Sequence, residues 1–352
     1  MWGTGCSRDC ESSCAAGAAN DATLGSGARP VIVFMFTGGT ISMRVDTERG
    51  GAVPTLRGAQ LLSAVPGIDR LAAIEIDEWA TMPGAHLTVD QVWALRSRVA
   101  HHVARPDVEA VIVTQGTDTL EETAYLTARS VSTSKPIIFT GAMRTSDELS
   151  WDGPANLLAA VRVAASPHAR DQGVLVVFAG QIYAAADVTK VHTHLLEAFD
   201  SPGLGPLGIV DGDAVVFHRA VITRAPVLTP PALASPVDIV YAYVGADGRL
   251  LDAVRESSVG VVLAALGRGN TNPPIFAAVE RWTATGKPIV ITSRTHRGRV
   301  GPTYGFPGGG RSLFDAGAIF AGDLRPQQAR IDLMLGLGSG LTGAALAAVF
   351  ET

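Results

Sequence analysis

Two stretches of this chain, residues 31–36 and 110–114, are short apolar runs that lead directly into loops rich in glycine and threonine. The loops read Thr37-Gly38-Gly39-Thr40 and Gln115-Gly116-Thr117-Asp118-Thr119. The runs are too short for buried helices, and the residues after them let the backbone turn sharply. In an open parallel sheet, loops of this kind line the crevice where ligands bind. Two hydroxyl-bearing loops meeting there suggest nucleophilic attack on a small substrate.

Further apolar strand candidates fall at 73–76, 136–140, 173–178, 238–244, 260–266 and 288–292. Amphipathic helices lie between them. Thr88 and Gln91 form a capping-box pair ahead of Val92, Leu95 and Val99. Thr119 and Glu122 repeat the pair ahead of Ala124, Ala128 and Val131. Asp152 and Pro154 open a third helix through Leu157, Leu158 and Val161. The pattern predicts two α/β domains, the larger N-terminal one with a mostly parallel sheet and the smaller C-terminal one also α/β. Four prolines between residues 225 and 236 mark an extended connection. The expected division is a disordered tail at 1–29, a first domain at 30–224, a linker at 225–237 and a second domain at 238–352.

With 47% hydrophobic and 17% charged residues, the chain can bury two substantial cores. Its net charge of −5 provides no basic field for nucleic acid or anionic membrane, which favours a small polar ligand. The three cysteines, Cys6, Cys10 and Cys14, all precede the first strand, so the folded body needs no oxidising compartment and a cytoplasmic location is expected. Their i, i+4, i+8 spacing lacks a fourth ligand for a closed zinc site. His192 and His194 lack a carboxylate at metal-site spacing, and His101-His102 reads as a surface pair at a helix end. Gly308-Gly309-Gly310-Arg311 lacks the ending of a phosphate loop and reads as a turn. No metal or cofactor is expected. The apolar stretch 331–350 contains Asp332 and a glycine cluster, which predicts two short core helices rather than a membrane span.

The chemistry concentrates in the two loops. Gly38 and Gly39 allow close backbone approach, and Thr40 presents a hydroxyl that needs a neighbouring proton acceptor to become nucleophilic. Thr117 and Asp118 add a hydroxyl and a carboxylate beside a helix N-terminus, whose free N–H groups can hold a substrate carboxylate or an oxyanion. A tight turn and ordinary helix caps account for the same residues singly. The pairing of both loops behind buried strands is what points to a site.

Met35-Phe36-Thr37-Gly38-Gly39-Thr40-Ile41 and the run from Thr114 through Gln115-Gly116-Thr117-Asp118-Thr119-Leu120-Glu121-Glu122 to Thr123-Ala124 resemble the two signatures of bacterial-type L-asparaginases. The resemblance continues through Gly141-Ala142-Met143-Arg144, Asp152-Gly153-Pro154-Ala155-Asn156-Leu157, Asp187-Val188-Thr189-Lys190 and Gly269-Asn270-Thr271-Asn272. It ends with Ala318-Ile319-Phe320-Ala321-Gly322-Asp323-Leu324 and Gln328-Ala329-Arg330. It implies an acyl-enzyme route in which Thr40 is the nucleophile. It likewise implies that Thr117, Asp118 and Lys190 would form the proton-transfer and substrate-holding group, with the Thr117 N–H as a donor to the oxyanion. Gly39, Gly84, Gln115, Gly116 and Asn272 fall at substrate-binding positions. It further implies a homodimer or homotetramer with sites at subunit interfaces, Asn272 reaching in from a partner.

The chain also departs from the family. No aromatic residue occurs from 41 to 78, where the family's loop carries a tyrosine. By the resemblance, Gly84 falls at a serine position and Gln115 at a histidine position, and the acid that secreted members carry late in the second domain has no clear counterpart in residues 299–306, the neighbourhood of Tyr304. The expected reaction is hydrolysis of a linear side-chain amide, asparagine to aspartate and ammonia, with glutamine or D-asparagine as other substrates. Two different classes compete with it. One is an amidotransferase glutaminase subunit, against which the 29 tail residues are too few for the associated extra domain. The other is an amino-acid sensor without turnover, which would bind ligand but release no ammonia.

Overall fold

The computed structural model describes residues 31–221 and 225–351. The cysteine-bearing tail therefore lies outside the described residues. The larger sheet begins with β1 (Val31–Gly38), followed by the hairpin β2 (Met43–Asp46) and β3 (Gly51–Pro54) and by α1 (Gly58–Ser63). Next come β4 (Ala73–Met82), α2 (Val89–Ala104), β5 (Val108–Thr114), α3 (Leu120–Ser130), β6 (Ile137–Thr140), α4 (Gly153–Ala165) and β7 (Val174–Phe178). The chain continues through β8 (Gln181–Ala184), the two-residue strands β9 (Thr189–Lys190) and β10 (Phe199–Asp200), then β11 (Gly208–Asp211) and β12 (Ala214–Phe217).

Eight strands hydrogen-bond in the order β12-β11-β8-β7-β6-β5-β1-β4, parallel from β4 to β7 and antiparallel beyond. Alternation along β1 explains why helices cover both faces. Ile32, Phe34 and Phe36 pack with Leu61, Leu157 and Ala160 of α1 and α4. Val33 and Met35 pack with Leu95, Val99, Leu120 and Ala124 of α2 and α3. The chain passes from β1 to β4 on one side and then to β5 on the other, so the switch in strand order falls beside β1. Ligand crevices form at such a point, at the carboxyl ends of the strands.

The second sheet comprises β13 (Val237–Tyr241), β14 (Gly260–Ala265), β15 (Ile289–Ser293) and β16 (Ile319–Phe320), all parallel. Its helices are α5 (Arg249–Val254), α6 (Pro273–Thr283), α7 (Gly310–Asp315), α8 (Pro326–Gly338) and α9 (Gly343–Ala347). Trp282 of α6 is completely buried in one of the two cores flanking this sheet. The apolar stretch 331–350 falls in α8, α9 and a closing 3-10 turn. Among the described residues, no helix is long and apolar enough to cross a membrane.

Every strand anticipated from the sequence is present, and the Thr88–Gln91 capping box forms. Three expectations are corrected. β4 runs to Met82, well past residue 76, because an edge strand with one neighbour accommodates polar residues. The Thr119–Glu122 capping box does not form, since Thr119 turns its hydroxyl to the Gly84 carbonyl at 3.0 Å. His102 is buried rather than on the surface, with Nε2 2.7 Å from the Asp77 carboxylate.

Candidate active site

β4, β1 and β5 are adjacent and parallel, so their following loops emerge at one edge of the sheet. The Gly39 N–H donates to the Met82 carbonyl at 2.9 Å, tying the first loop to the end of β4. Gly39 has φ +81°, and a Cβ added there would fall 2.4 Å from the Gly116 Cα. A Cβ at Gly84 would fall 2.8 Å from the Gly116 carbonyl oxygen. The three glycines thus bring three loops into direct backbone contact, closer than any side chain permits. Thr40 and Thr117 each follow one of the touching glycines.

Thr40 opens a single 3-10 turn, Thr40–Ser42. Ser42 fixes that turn by donating its backbone N–H and its hydroxyl to the Gly39 carbonyl, at 3.0 and 2.8 Å. The completely buried Ile41 anchors the turn below. Thr37 adds a lateral tie, its hydroxyl donating to the Thr114 carbonyl at 2.8 Å. Beyond the turn, the β2–β3 hairpin is held by the Val45 N–H, which donates to the Asp147 carboxylate at 2.7 Å.

In the second loop Thr117 is buried, and its hydroxyl accepts from Lys190 Nζ at 2.9 Å. The same nitrogen donates to Asp118 Oδ1 at 2.7 Å. An amine placed between a hydroxyl and a carboxylate can move a proton to or from the hydroxyl while the carboxylate fixes its direction. The Asp118 side chain is 68% exposed, which leaves its other oxygen open to a ligand.

The remaining sequence-predicted residues divide. Gln115 is buried, and its amide donates to Thr123 Oγ1 at 2.9 Å and Thr119 Oγ1 at 3.2 Å. Its side chain thus braces the start of α3. Gly84 supplies backbone only. Asn272 caps α6: its Oδ1 accepts from the Ile275 N–H at 3.0 Å and its Nδ2 donates to the Ala246 carbonyl at 2.6 Å. All its side-chain hydrogen bonds lie within the second domain. The loop bearing Tyr304 folds beside it, where the Gly308 carbonyl accepts from the Thr271 N–H at 2.7 Å.

Sequence reasoning gave no role to Glu121, Arg325, Gln327 or Gln328. Glu121 accepts from the Lys190 N–H at 2.5 Å and from Gln327 Nε2 at 2.6 Å. Arg325 and Gln328 donate to the carbonyls of Val188 and Ala186, each at 2.8 Å. Burial lowers the Arg325 guanidinium pKa, against the pull of Glu121 and Asp187. Burial likewise raises the neighbouring Glu122 carboxyl, with Arg330 opposing. Glu121 follows Thr117 by four residues, a spacing that was the available signal; its partners in α8 had none. Among the described residues, no group of three or more His, Cys, Asp or Glu side chains is placed to hold a metal ion.

Comparison with known proteins gives a consistent result. The family described as "Asparaginase, N-terminal" matches residues 31–223, and the "Glutaminase/Asparaginase C-terminal domain" matches residues 236–350. A probable L-asparaginase of Deinococcus radiodurans is 38% identical over 324 residues, covering 91% of this chain and 97% of the relative. An L-asparaginase of Bacillus licheniformis is 33% identical over 310 residues, covering 88% and 95%. The crystal structure of a probable cytoplasmic L-asparaginase from Campylobacter jejuni superposes with a TM-score of 0.81 at 29% identity, covering 92% of this chain and all of that one.

Proposed function

The chain belongs to the asparaginase family, and on that footing we propose that it hydrolyses the side-chain amide of L-asparagine to L-aspartate and ammonia. The observation that supports this reading is the close backbone approach of Gly39 to Gly116, because Thr40 follows the first glycine and Thr117, the hydrogen-bond partner of Lys190, follows the second.

In this reading Thr40 Oγ attacks the amide carbon, and its proton passes into the Thr117–Lys190 pair. The carbonyl π electrons move onto oxygen, where the Thr117 N–H donates to the oxyanion. When the carbonyl re-forms, the C–N bond breaks and the nitrogen leaves as ammonia after taking a proton back from the pair. A water, deprotonated by the same pair, then attacks the Thr40 ester. The ester C–O bond breaks and Thr40 Oγ takes the water's proton back from the pair, releasing aspartate and restoring the threonine. Asp118 holds Lys190 with one oxygen and offers the other to the substrate ammonium.

The proposal extends to assembly and location. Tyr243 and Val244, just before the Asn272 partner Ala246, are 43% and 93% exposed, an apolar surface that a homodimer or homotetramer would cover while Asn272 approaches a partner's site. A cytoplasmic location fits a body without cysteine after residue 14.

The test is ammonia release from L-asparagine, L-glutamine and D-asparagine by the purified protein. Thr40→Ala and Lys190→Met are each expected to cut turnover about a thousand-fold or more, as loss of a nucleophile or its base does. Full turnover in Thr40→Ala, with none in Thr117→Ala, would move the nucleophile to Thr117. Ligand binding without ammonia would defeat the hydrolytic reading.

A further inference from the structure

Lys190 sits in a weak piece of secondary structure. β9 has two residues and pairs only with the two residues of β10, a ribbon that cannot hold itself in register. Its ion pair with Asp118 is no anchor either, because that carboxylate is 68% exposed and such pairs contribute little. Yet the proposed chemistry requires the Lys190 amine to stay within hydrogen-bond reach of Thr117.

The neighbouring contacts supply the missing constraint. Within five residues, 186–190, the main chain is held by three side chains from outside the segment. Gln328 donates to the Ala186 carbonyl and Arg325 to the Val188 carbonyl, each at 2.8 Å. Glu121 accepts the Lys190 N–H at 2.5 Å. The second oxygen of Glu121 is held by Gln327 at 2.6 Å, so the N-cap residue of α8, Arg325, and Gln328 of its first turn hold the segment directly while Gln327 acts on it through Glu121. Glu121 itself lies in the first turn of α3, immediately after the loop that carries Thr117 and Asp118. One carboxylate therefore joins three parts: the helix bearing Thr117, the strand bearing Lys190, and the second domain.

We infer that Glu121 is a positioning residue for Lys190, and that its bridge to Gln327 makes the second domain the clamp that keeps the Lys190 amine on Thr117. This rests on the hydrolytic reading for its catalytic consequence, but the clamp itself is a statement about backbone order. Glu121 touches no substrate atom in this account; it acts through the Lys190 main chain.

The experiment compares Glu121→Ala, Glu121→Gln and Gln327→Ala with the wild-type protein. Misplacing a catalytic amine by about 1 Å lowers turnover on the order of 100-fold, so Glu121→Ala is expected to lower kcat by about 10–100-fold. Its KM should change less than about threefold, since the loss falls on the chemical step. Glu121→Gln keeps an oxygen for the Lys190 N–H, and Gln327 can turn its own amide to meet the new NH2, so most of the lost kcat should return. Gln327→Ala should reproduce part of the Glu121→Ala defect from the other domain. Hydrogen exchange read by mass spectrometry over residues 186–191 should rise in both alanine variants, with global unfolding unchanged. An unchanged exchange rate there overturns the clamp, whatever the activity. Raised exchange with wild-type kcat overturns the positioning role alone. A wild-type protein that releases no ammonia overturns the hydrolytic reading, and the exchange measurement still decides the clamp.

Discussion

Replacing Gly39 with alanine tests the contact on which the site is built. At φ +81° and ψ −176° the backbone of Gly39 lies in a region open essentially to glycine alone, and a residue with a Cβ there costs about 1–3 kcal/mol. The new methyl would also lie 2.4 Å from both Cα and N of Gly116 and 3.0 Å from the Gln115 carbonyl carbon. These are backbone atoms, so no rotamer change can relieve the overlap. Forcing such a shift in packed structure costs about 1–3 kcal/mol more. The expected total is about 2–6 kcal/mol, the sum of those two ranges. Gly212 provides the control, because its φ is +55° and nothing lies within 4 Å of an added Cβ, leaving only the conformational cost. Guanidinium unfolding of both variants shows by how much Gly39→Ala exceeds the cost of an unobstructed positive-φ position. The surviving folded Gly39→Ala protein should also lose turnover on the order of 100-fold, as its two threonine loops move apart by about 1 Å. If Gly39→Ala were no more destabilised than Gly212→Ala and kept its ammonia release, the three-loop contact would not be what assembles the site.

Gly84→Ser would restore the hydroxyl that the resemblance places there, but its Cβ meets the Gly116 carbonyl at 2.8 Å. The expected outcome is a loss of about 1–3 kcal/mol in stability and no fall in KM, measured by unfolding and steady-state kinetics. The Asp77 carboxyl is pushed up by burial, but hydrogen bonds from Arg98 and His102 outweigh this and hold it below the ordinary aspartate range. A lowered folded-state pKa contributes stability that is complete above the unfolded value of about 4 and disappears as pH falls through the folded value. Asp77→Asn should therefore be less stable than wild type at pH 7, with the gap closing toward pH 3; a gap independent of pH would contradict this assignment.

Legibility in the sequence followed the range of the interactions. β1, β5, β14 and β15 are buried on both faces and read as continuous apolar runs, which is why they were visible. The two glycine loops were visible because close backbone approach demands a residue type. The β11–β12 hairpin also carried a turn signal, Asp211-Gly212, and was missed because its short strands are only half-buried. Lys190 could be placed by resemblance, but not its support. Glu121 and Gln327 are 206 residues apart, and no periodicity or spacing connects them. Thr119 looked like a cap because local chemistry favours one; the carbonyl of Gly84, 35 residues away, captured its hydroxyl instead.

The two halves of the site are consequently held by different means. The Thr40 side depends on backbone contacts between neighbouring strand ends within one sheet. The Lys190 side depends on α3 meeting α8 across the domains. The same two helices share a buried polar cluster farther along: Arg129 Nε donates to Asp332 Oδ1 at 2.7 Å, and the Tyr125 hydroxyl donates to Asp332 Oδ2 at 3.0 Å. Arg129 also donates to the Pro226 carbonyl at 2.9 Å, reaching the proline-rich connection. Burying such a pair adds little net stability relative to apolar packing, but it penalises any other register of the two helices. Tyr125, Leu126, Ile331 and Leu335 pack around it, so the helices are both glued and indexed. A shift of α8 by one helical step would separate Gln327 from Glu121 and Arg129 from Asp332 together. The buried cluster therefore fixes the alignment on which the position of the Lys190 amine depends, while leaving the Thr40 turn untouched.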